Sequence, residues 1–213
     1  MHLADGTLAN QVCTATAIAS ATGLVYAASR ARAHATPRTL ARAGVGAAIV
    51  FVAQMIDVPL FGAVPVHVVG AAFLVALSGP ALALLAMTLV LVAQALALHD
   101  GGVTALGANV FNMGVVGVAV ASFCMDSVNA RIGGRAGRLV GVALASAASM
   151  SAAVVAVAAE LALSGVSREV FAAAIAAHAP FAAFETVMTV AVVAALANAR
   201  VFAGEPGVER AGK

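Results

Sequence analysis

The sequence predicts an all-α integral membrane protein, a bundle of about seven transmembrane helices with the N-terminus outside and the C-terminus cytoplasmic. Three observations carry that prediction. Of the 213 residues, 63% are hydrophobic and only 9% are charged, far from the usage of an ordinary soluble domain. Ala, Val, Leu and Gly recur from about Thr14 to Phe202 with few charges between them, so the chain reads as successive helices that satisfy their own backbone in lipid. The cations gather in gaps between apolar runs, as they do in cytoplasmic loops: Arg30, Arg32, Arg38 and Arg42, then Arg131, Arg135 and Arg138, then Arg200, Arg210 and Lys213.

Gly, Pro, Asp and Arg clusters divide the chain into apolar segments at about 10–29, 43–58, 65–79, 81–98, 104–125, 139–163 and 170–199. The second and third are short, but Asp57, Pro59, Gly62 and Pro65 separate them, and proline inside a helix breaks the hydrogen-bond ladder. Counting them apart puts every cation except Arg168 on the cytoplasmic side; merging them would move the Arg131–Arg138 loop outside, against the positive-inside bias. The expected layout is one transmembrane domain over 1–203 and a short cytoplasmic tail at 204–213, in a multi-pass protein of the cell (inner, cytoplasmic) membrane, surrounded by lipid. Small residues, as in ASAASMSAAVVAVAAE at 145–160, suit close helix packing.

Several functions are excluded. A net charge of +2 without a basic stripe argues against nucleic acid. GVERAGK at 207–213 imitates part of a phosphate loop but lacks the preceding strand and the following Ser or Thr and helix, so no ATP hydrolysis is expected in this chain and any energy must come from elsewhere. Cys13 and Cys124 are expected near opposite membrane faces, too far apart for a disulfide. Asn10, Gln11 and Val12 do not make a lipoprotein cleavage site and no cation precedes the first apolar run, so the N-terminus is read as mature.

The chemistry begins at MHLADG. The free amine of Met1, the amide nitrogen of His2 and the His2 Nδ1 close a five- and a six-membered ring on one divalent metal, a nearly planar set suited to Ni(II) or Cu(II) with one corner open. Methionine removal disfavours a large second residue, so His2 is compatible with a retained Met1. His67, in FGAVPVHVVG at the outer start of the third segment, is an ionisable side chain at membrane depth and neutral imidazole is a common metal ligand; it either fills the fourth corner or pairs locally at a helix start. His99, in HDGG, reads as a solvated turn residue. Gln54, Gln94, Asn109 and Asn112 must find partners inside the bundle, either orienting an imidazole or joining helices. Glu185 is costly in the last span and must be paired or protonated, and His178 lies too far from it along the helix to be the obvious partner.

With both ends and the middle assembled, the sequence resembles the CbiM/NikM family, the substrate-binding membrane (S) components of energy-coupling factor transporters for cobalt and nickel. The resemblance spans nearly the whole chain and rests on MHLADGTLAN, AQMIDVP at 53–59, His67 followed by Val68, Val69 and Gly70, LVAQALALHDGGVTALGANVFNMGVVG at 91–117 and HAPFAAFETVMT at 178–189. It implies a metal held by the Met1 amine, the His2 amide and imidazole, and His67. It also implies two cytoplasmic ATPases, a transmembrane coupling protein and often a small accessory membrane protein as partners. Ni2+ or Co2+ is then the transported substrate, and this chain is a non-catalytic subunit. One departure is Ala63-Val64-Pro65-Val66, where the family usually has a Gly- and Ser-rich run; it leaves nickel against cobalt open. The alternatives are an intramembrane hydrolase, for which no serine–histidine or HExxH arrangement is visible, and a structural assembly subunit.

Overall fold

The computed structural model describes residues 1–58 and 65–199. Ala63 and Val64 of the departing run, the cations Arg200, Arg210 and Lys213, and the expected tail at 204–213 lie outside the described residues.

Helix α1 (Asn10–His34) is followed directly by α2 (Pro37–Gln54). The turn between them is set by Thr36, whose Oγ1 accepts from the Thr39 N–H while Thr39 Oγ1 accepts from the Thr36 N–H, with Pro37 supplying a helical φ at the first position. Helix α3 (Ala71–Ala93) is interrupted at Gly79, whose φ of 77° and ψ of 167° are not helical, and it runs on through the π-helical turn Gln94–Leu98. Helix α4 (Leu106–Asn109), the π-helical stretch Val110–Val116 and α5 (Gly117–Asn129) follow one another without a break. Helices α6 (Gly134–Leu163) and α7 (Arg168–Asn198) complete the described bundle.

The all-helical character agrees with the sequence reading. Among the described residues five stretches are long and apolar enough to cross a membrane: Asn10–His34, Ala71–Leu98, Leu106–Asn129, Gly134–Leu163 and Ala172–Asn198. The two further segments read from sequence look different. The segment at 43–58 appears as Pro37–Gln54, starting earlier because of the Thr36 cap and ending before Asp57. Of the segment at 65–79, only 71–78 is helical ahead of the Gly79 break, and 65–70 runs as non-helical backbone. Eight helical residues rise about 12 Å, so that segment is a half-helix entered by an extended chain. The extended part is closed at its base by paired hydrogen bonds between Val58 and Val66, 2.9 Å each.

Two ends of the bundle can be told apart. Arg30, His34, Thr39, Ser78, Gly79 and Pro80 line one small cavity, and Tyr26, Arg30, Pro80 and Asp126 line its neighbour. The α1–α2 turn, the Gly79 break and the C-terminal end of α5 therefore share an end, which gathers the first two arginine clusters. At the opposite end Ala9 donates to Ser164 Oγ (3.0 Å) and His2 meets Asp100, so the chain start, the π turn after α3 and the α6–α7 junction lie together. Cys13 and Cys124 are both free.

Helices α1 and α4 approach each other closely. Ser20 Oγ donates to Gly107 O at 2.7 Å, and a Cβ on Gly107 would stand 2.6 Å from Ala17 Cα, so the two backbones meet where a side chain has no room. Gly107→Ala should force them apart and cost about 1–3 kcal/mol. The expected result is a lower melting temperature of the detergent-solubilised protein than in wild type, with an unchanged melt counting against this packing.

Candidate metal centre

At the end opposite the arginines, residues 1–5 lie across the bundle as a strap. Leu3 is held like a strand residue: its N–H donates to Asn109 Oδ1 (2.8 Å), and its carbonyl accepts from Asn109 Nδ2 (3.1 Å) and from the Gly102 N–H (2.8 Å). Asp5 Oδ1 accepts from the Thr104 N–H (2.7 Å) and hydroxyl (2.6 Å). Glycine is required beneath the strap, because a Cβ on Gly102 would overlap the Asp5 backbone nitrogen, and Gly101 has a φ of 88°. Met1 and Leu3 are buried.

The strap brings His2 beside His67. Their ring centroids are 4.5 Å apart with a 34° tilt, His67 is 0% and His2 3% exposed, and the Nε2 atoms of both are buried with no hydrogen-bond partner. His67 Nδ1 lies 2.7 Å from Val68 O; a carbonyl can only accept, so Nδ1 carries the proton and Nε2 the free lone pair. His2 Nδ1 lies 3.0 Å from Asp100 Oδ1, and the Met1 amine donates to Pro65 O. The three residues singled out from sequence, Met1, His2 and His67, are thus brought together, with Asp100 as a fourth party to the cluster. Among the described residues no three His, Cys, Asp or Glu side chains converge as a metal cage; a chelate here would need backbone and amine nitrogens as well as imidazole.

The surroundings favour the unprotonated bases. Burial holds the Met1 amine well below the usual α-amino range, against the opposing pull of Asp100 and Asp57. Burial likewise lowers His67, helped by the positive charges of the N-terminal amine, His2 and His178. The hydrogen bond from His2, and then its charge, lower Asp100.

The other polar residues resolve the alternatives left open by the sequence. His99 is exposed, with a left-handed φ of 57°, as a turn residue should be. Asn109 serves the strap, whereas Asn112 Nδ2 donates to Glu160 Oε2 at 2.7 Å and joins two helices. Gln54 Nε2 donates to Val69 O at 2.8 Å. Both side-chain polar atoms of Gln94 are buried with no hydrogen-bond partner. Glu185, costly in its span, is paired with the Val69 and Gly70 N–H groups. His178 is buried, with Nδ1 on Ala174 O (2.6 Å) and Nε2 without a partner. Asp100 was missed because HDGG by itself signals only a turn; its nearness to an N-terminal histidine exists only in the fold.

The family model for CbiM, the cobalt uptake substrate-specific transmembrane region, matches residues 2–201. The chain belongs to the CbiM family. It is 41% identical over 120 residues to a putative metal transport protein of Haloquadratum walsbyi, covering 56% of this chain and 55% of that one. It is 34% identical over 155 residues to the fused nickel transport protein NikMN of Rhodobacter capsulatus, covering 72% and 44%. The matches thus span about half the length of these curated relatives. Against a putative metal transport protein of Methanocaldococcus jannaschii the identity is 32% over 151 residues, 68% of each chain. The crystal structure of a truncated transition metal transporter superposes with a TM-score of 0.86 at 28% identity, covering 93% of this chain and 99% of that one. This CbiM-family chain is therefore a multi-pass membrane protein with the fold of a solved transition metal transporter.

Two outcomes follow for the centre. Asn109→Ala would leave the buried Leu3 N–H unpaired, a loss of about 1–3 kcal/mol, and should speed hydrogen exchange at residues 1–5 while leaving α6 protected. The folded-state affinities of the Met1 amine, His67 and Asp100 for protons are all lowered, so the unfolded chain binds more protons at mildly acidic pH and stability rises with pH there. For the amine and His67 that gain is complete above their unfolded values, about 8 and about 6.5; for Asp100 it is complete above about 4. Melting temperatures of the metal-free protein should fall steadily on acidification from slightly alkaline pH.

Proposed function

We propose that this protein is the substrate-binding membrane component of an energy-coupling factor transporter importing Ni2+ or Co2+. It would capture the metal from the outer side and hand it inward with two ATPases, a transmembrane coupling subunit and a small accessory membrane subunit. The single observation that carries the reading is the buried His67 Nε2, which nothing satisfies, beside the His2 ring of the chain start; a buried polar atom without a partner calls for an explanation, and a bound ion is one. Family membership supports the substrate class.

On this reading the ligands are the Met1 amine, the His2 amide and imidazole nitrogens, and His67 Nε2. The His67 ring already has the required tautomer. The His2 ring must turn about its Cβ–Cγ bond, leaving Asp100 and directing Nδ1 to the metal, and the amine must leave Pro65 O. The burial that already weakens proton binding at the amine and at His67 reduces what a metal has to displace.

The arginine-bearing end is placed on the cytoplasmic side, as the positive-inside bias requires, and the metal end outside. Pro37–Gln54 and the half-helix at 71–78 then bring the traverses to seven, within one domain over 1–203 in the inner membrane and a cytoplasmic tail at 204–213. No residue is assigned a catalytic role.

Titration calorimetry with Ni2+ and Co2+ tests the site on protein tagged only at the C-terminus. His67→Ala, and separately one residue inserted between Met1 and His2, should each abolish high-affinity binding, and wild-type affinity should rise with pH as proton competition fades. Binding that survives both changes overturns the assignment.

A further inference from the structure

The segment joining His67 to α3 is gripped in a way that metal ligation by His67 does not by itself require. Two consecutive peptide groups are each held at both ends. In the 68–69 peptide, the carbonyl of Val68 accepts from His67 Nδ1–H at 2.7 Å, and the N–H of Val69 donates to Glu185 Oε2 at 2.6 Å. In the 69–70 peptide, the carbonyl of Val69 accepts from Gln54 Nε2 at 2.8 Å, and the N–H of Gly70 donates to Glu185 Oε1 at 2.9 Å. Both Glu185 oxygens are used as acceptors, the pattern of a carboxylate, and Glu185 is 2% exposed. It sits at the start of α3, where the helix end favours negative charge. Gly70, with a φ of 80°, lets the chain turn there, and a Cβ on it would stand 2.6 Å from Val50 Cγ2.

The first of these peptides forms a continuous line of donors and acceptors: imidazole Nδ1–H, peptide C=O, peptide N–H, carboxylate. Donation of the N–H to a carboxylate polarises the peptide and makes its carbonyl a better acceptor, which holds the Nδ1 proton and leaves the lone pair on Nε2. Metal-binding histidines often get this service from a carboxylate directly.

We propose that Glu185 is a positioning residue for the ligand His67, acting through the 68–69 peptide to fix its tautomer and aim its Nε2. Glu185 takes no part in coordination. Its place on α7, 115 residues from Gly70 in sequence, means that the aim of His67 is set by the last helix of the described bundle. The alternative is that Glu185 merely caps α3, which would make it matter to stability and not to the metal. This proposal rests on His67 being a ligand.

The test uses the full chain with a native N-terminus, Ni2+ and Co2+ as probes, and Glu185→Gln, which keeps the size but puts an amide NH2 against one of the two N–H donors. Affinity should fall about 10- to 100-fold, the range for loss of a histidine's supporting partner, and the d–d absorption of bound metal should shift. Affinity within twofold of wild type and an unmoved spectrum overturn the proposal. Should the variant fail to fold, 15N spectra of histidine-labelled wild type decide, with the His67 signals assigned by their loss in His67→Ala. A proton on Nδ1 in the metal-free protein is expected, and a proton on Nε2 overturns the proposal. If His67→Ala itself binds metal like wild type, it is the site that fails, a result separable from any effect at Glu185.

Discussion

A stretch of non-helical backbone inside an apolar bundle is the constraint on which the rest of this structure depends. Residues 65–70 offer N–H and C=O groups where lipid and packed side chains provide no partners, and each unsatisfied group there costs several kcal/mol. The solution uses two long polar side chains from different helices, Gln54 of α2 and Glu185 of α7, which meet on Val69 and Gly70. Glu185 would be prohibitive in an apolar span without those donors, and the donors would be prohibitive without Glu185. The two costs cancel in one contact, which also pins α7 to the start of α3.

The N-terminal strap meets the same demand with other means. The Leu3 peptide groups are satisfied by Asn109 and Gly102 and the Asp5 carboxylate by Thr104, all from the region following the π turn at Gln94–Leu98. Asn109 immediately precedes the π-helical stretch Val110–Val116, a kind of irregularity that recurs at functional positions. The chain start is thereby inserted into the core, which is why the Met1 amine is buried enough to lose its proton readily.

Much of this was readable before the structure. His2 and His67 stand out because imidazole is rare and expensive in such a setting, and the fold brings them to 4.5 Å. The need for Glu185 to be paired was legible from its cost; its partners were not, since backbone N–H groups carry no residue signature. Asp100 was read as part of a turn because its partner lies 98 residues away. The segment at 65–79 reads as one span because a continuous apolar run does not distinguish extended from helical chain. What decides is the pair of tethers from Gln54, 15 residues from Val69, and Glu185, 116 residues from it, whose convergence is a property of the fold. The first two arginine clusters, by contrast, share an end as their placement in the sequence suggests, because charge placement is a local signal with a global consequence.

The two straps answer to different parts of the bundle, and that division bears on how a metal would be released. The strap carrying Met1 and His2 is tied to Asn109, Gly102 and Thr104; the segment carrying His67 is tied to α2 and α7. On the proposed reading, a metal joining both is a cross-link between two groups of helices, stable only while they keep their registration. A displacement of α7 by a coupling partner would carry Val69 and His67 with it and leave the chelate of Met1 and His2 behind. Losing one of four nitrogens by such a shift weakens the site without any change in ligand chemistry. On the proposed reading, release needs a site that is tight in one state and loose in another, and a ligand set divided between two separately anchored segments would supply that difference by geometry alone.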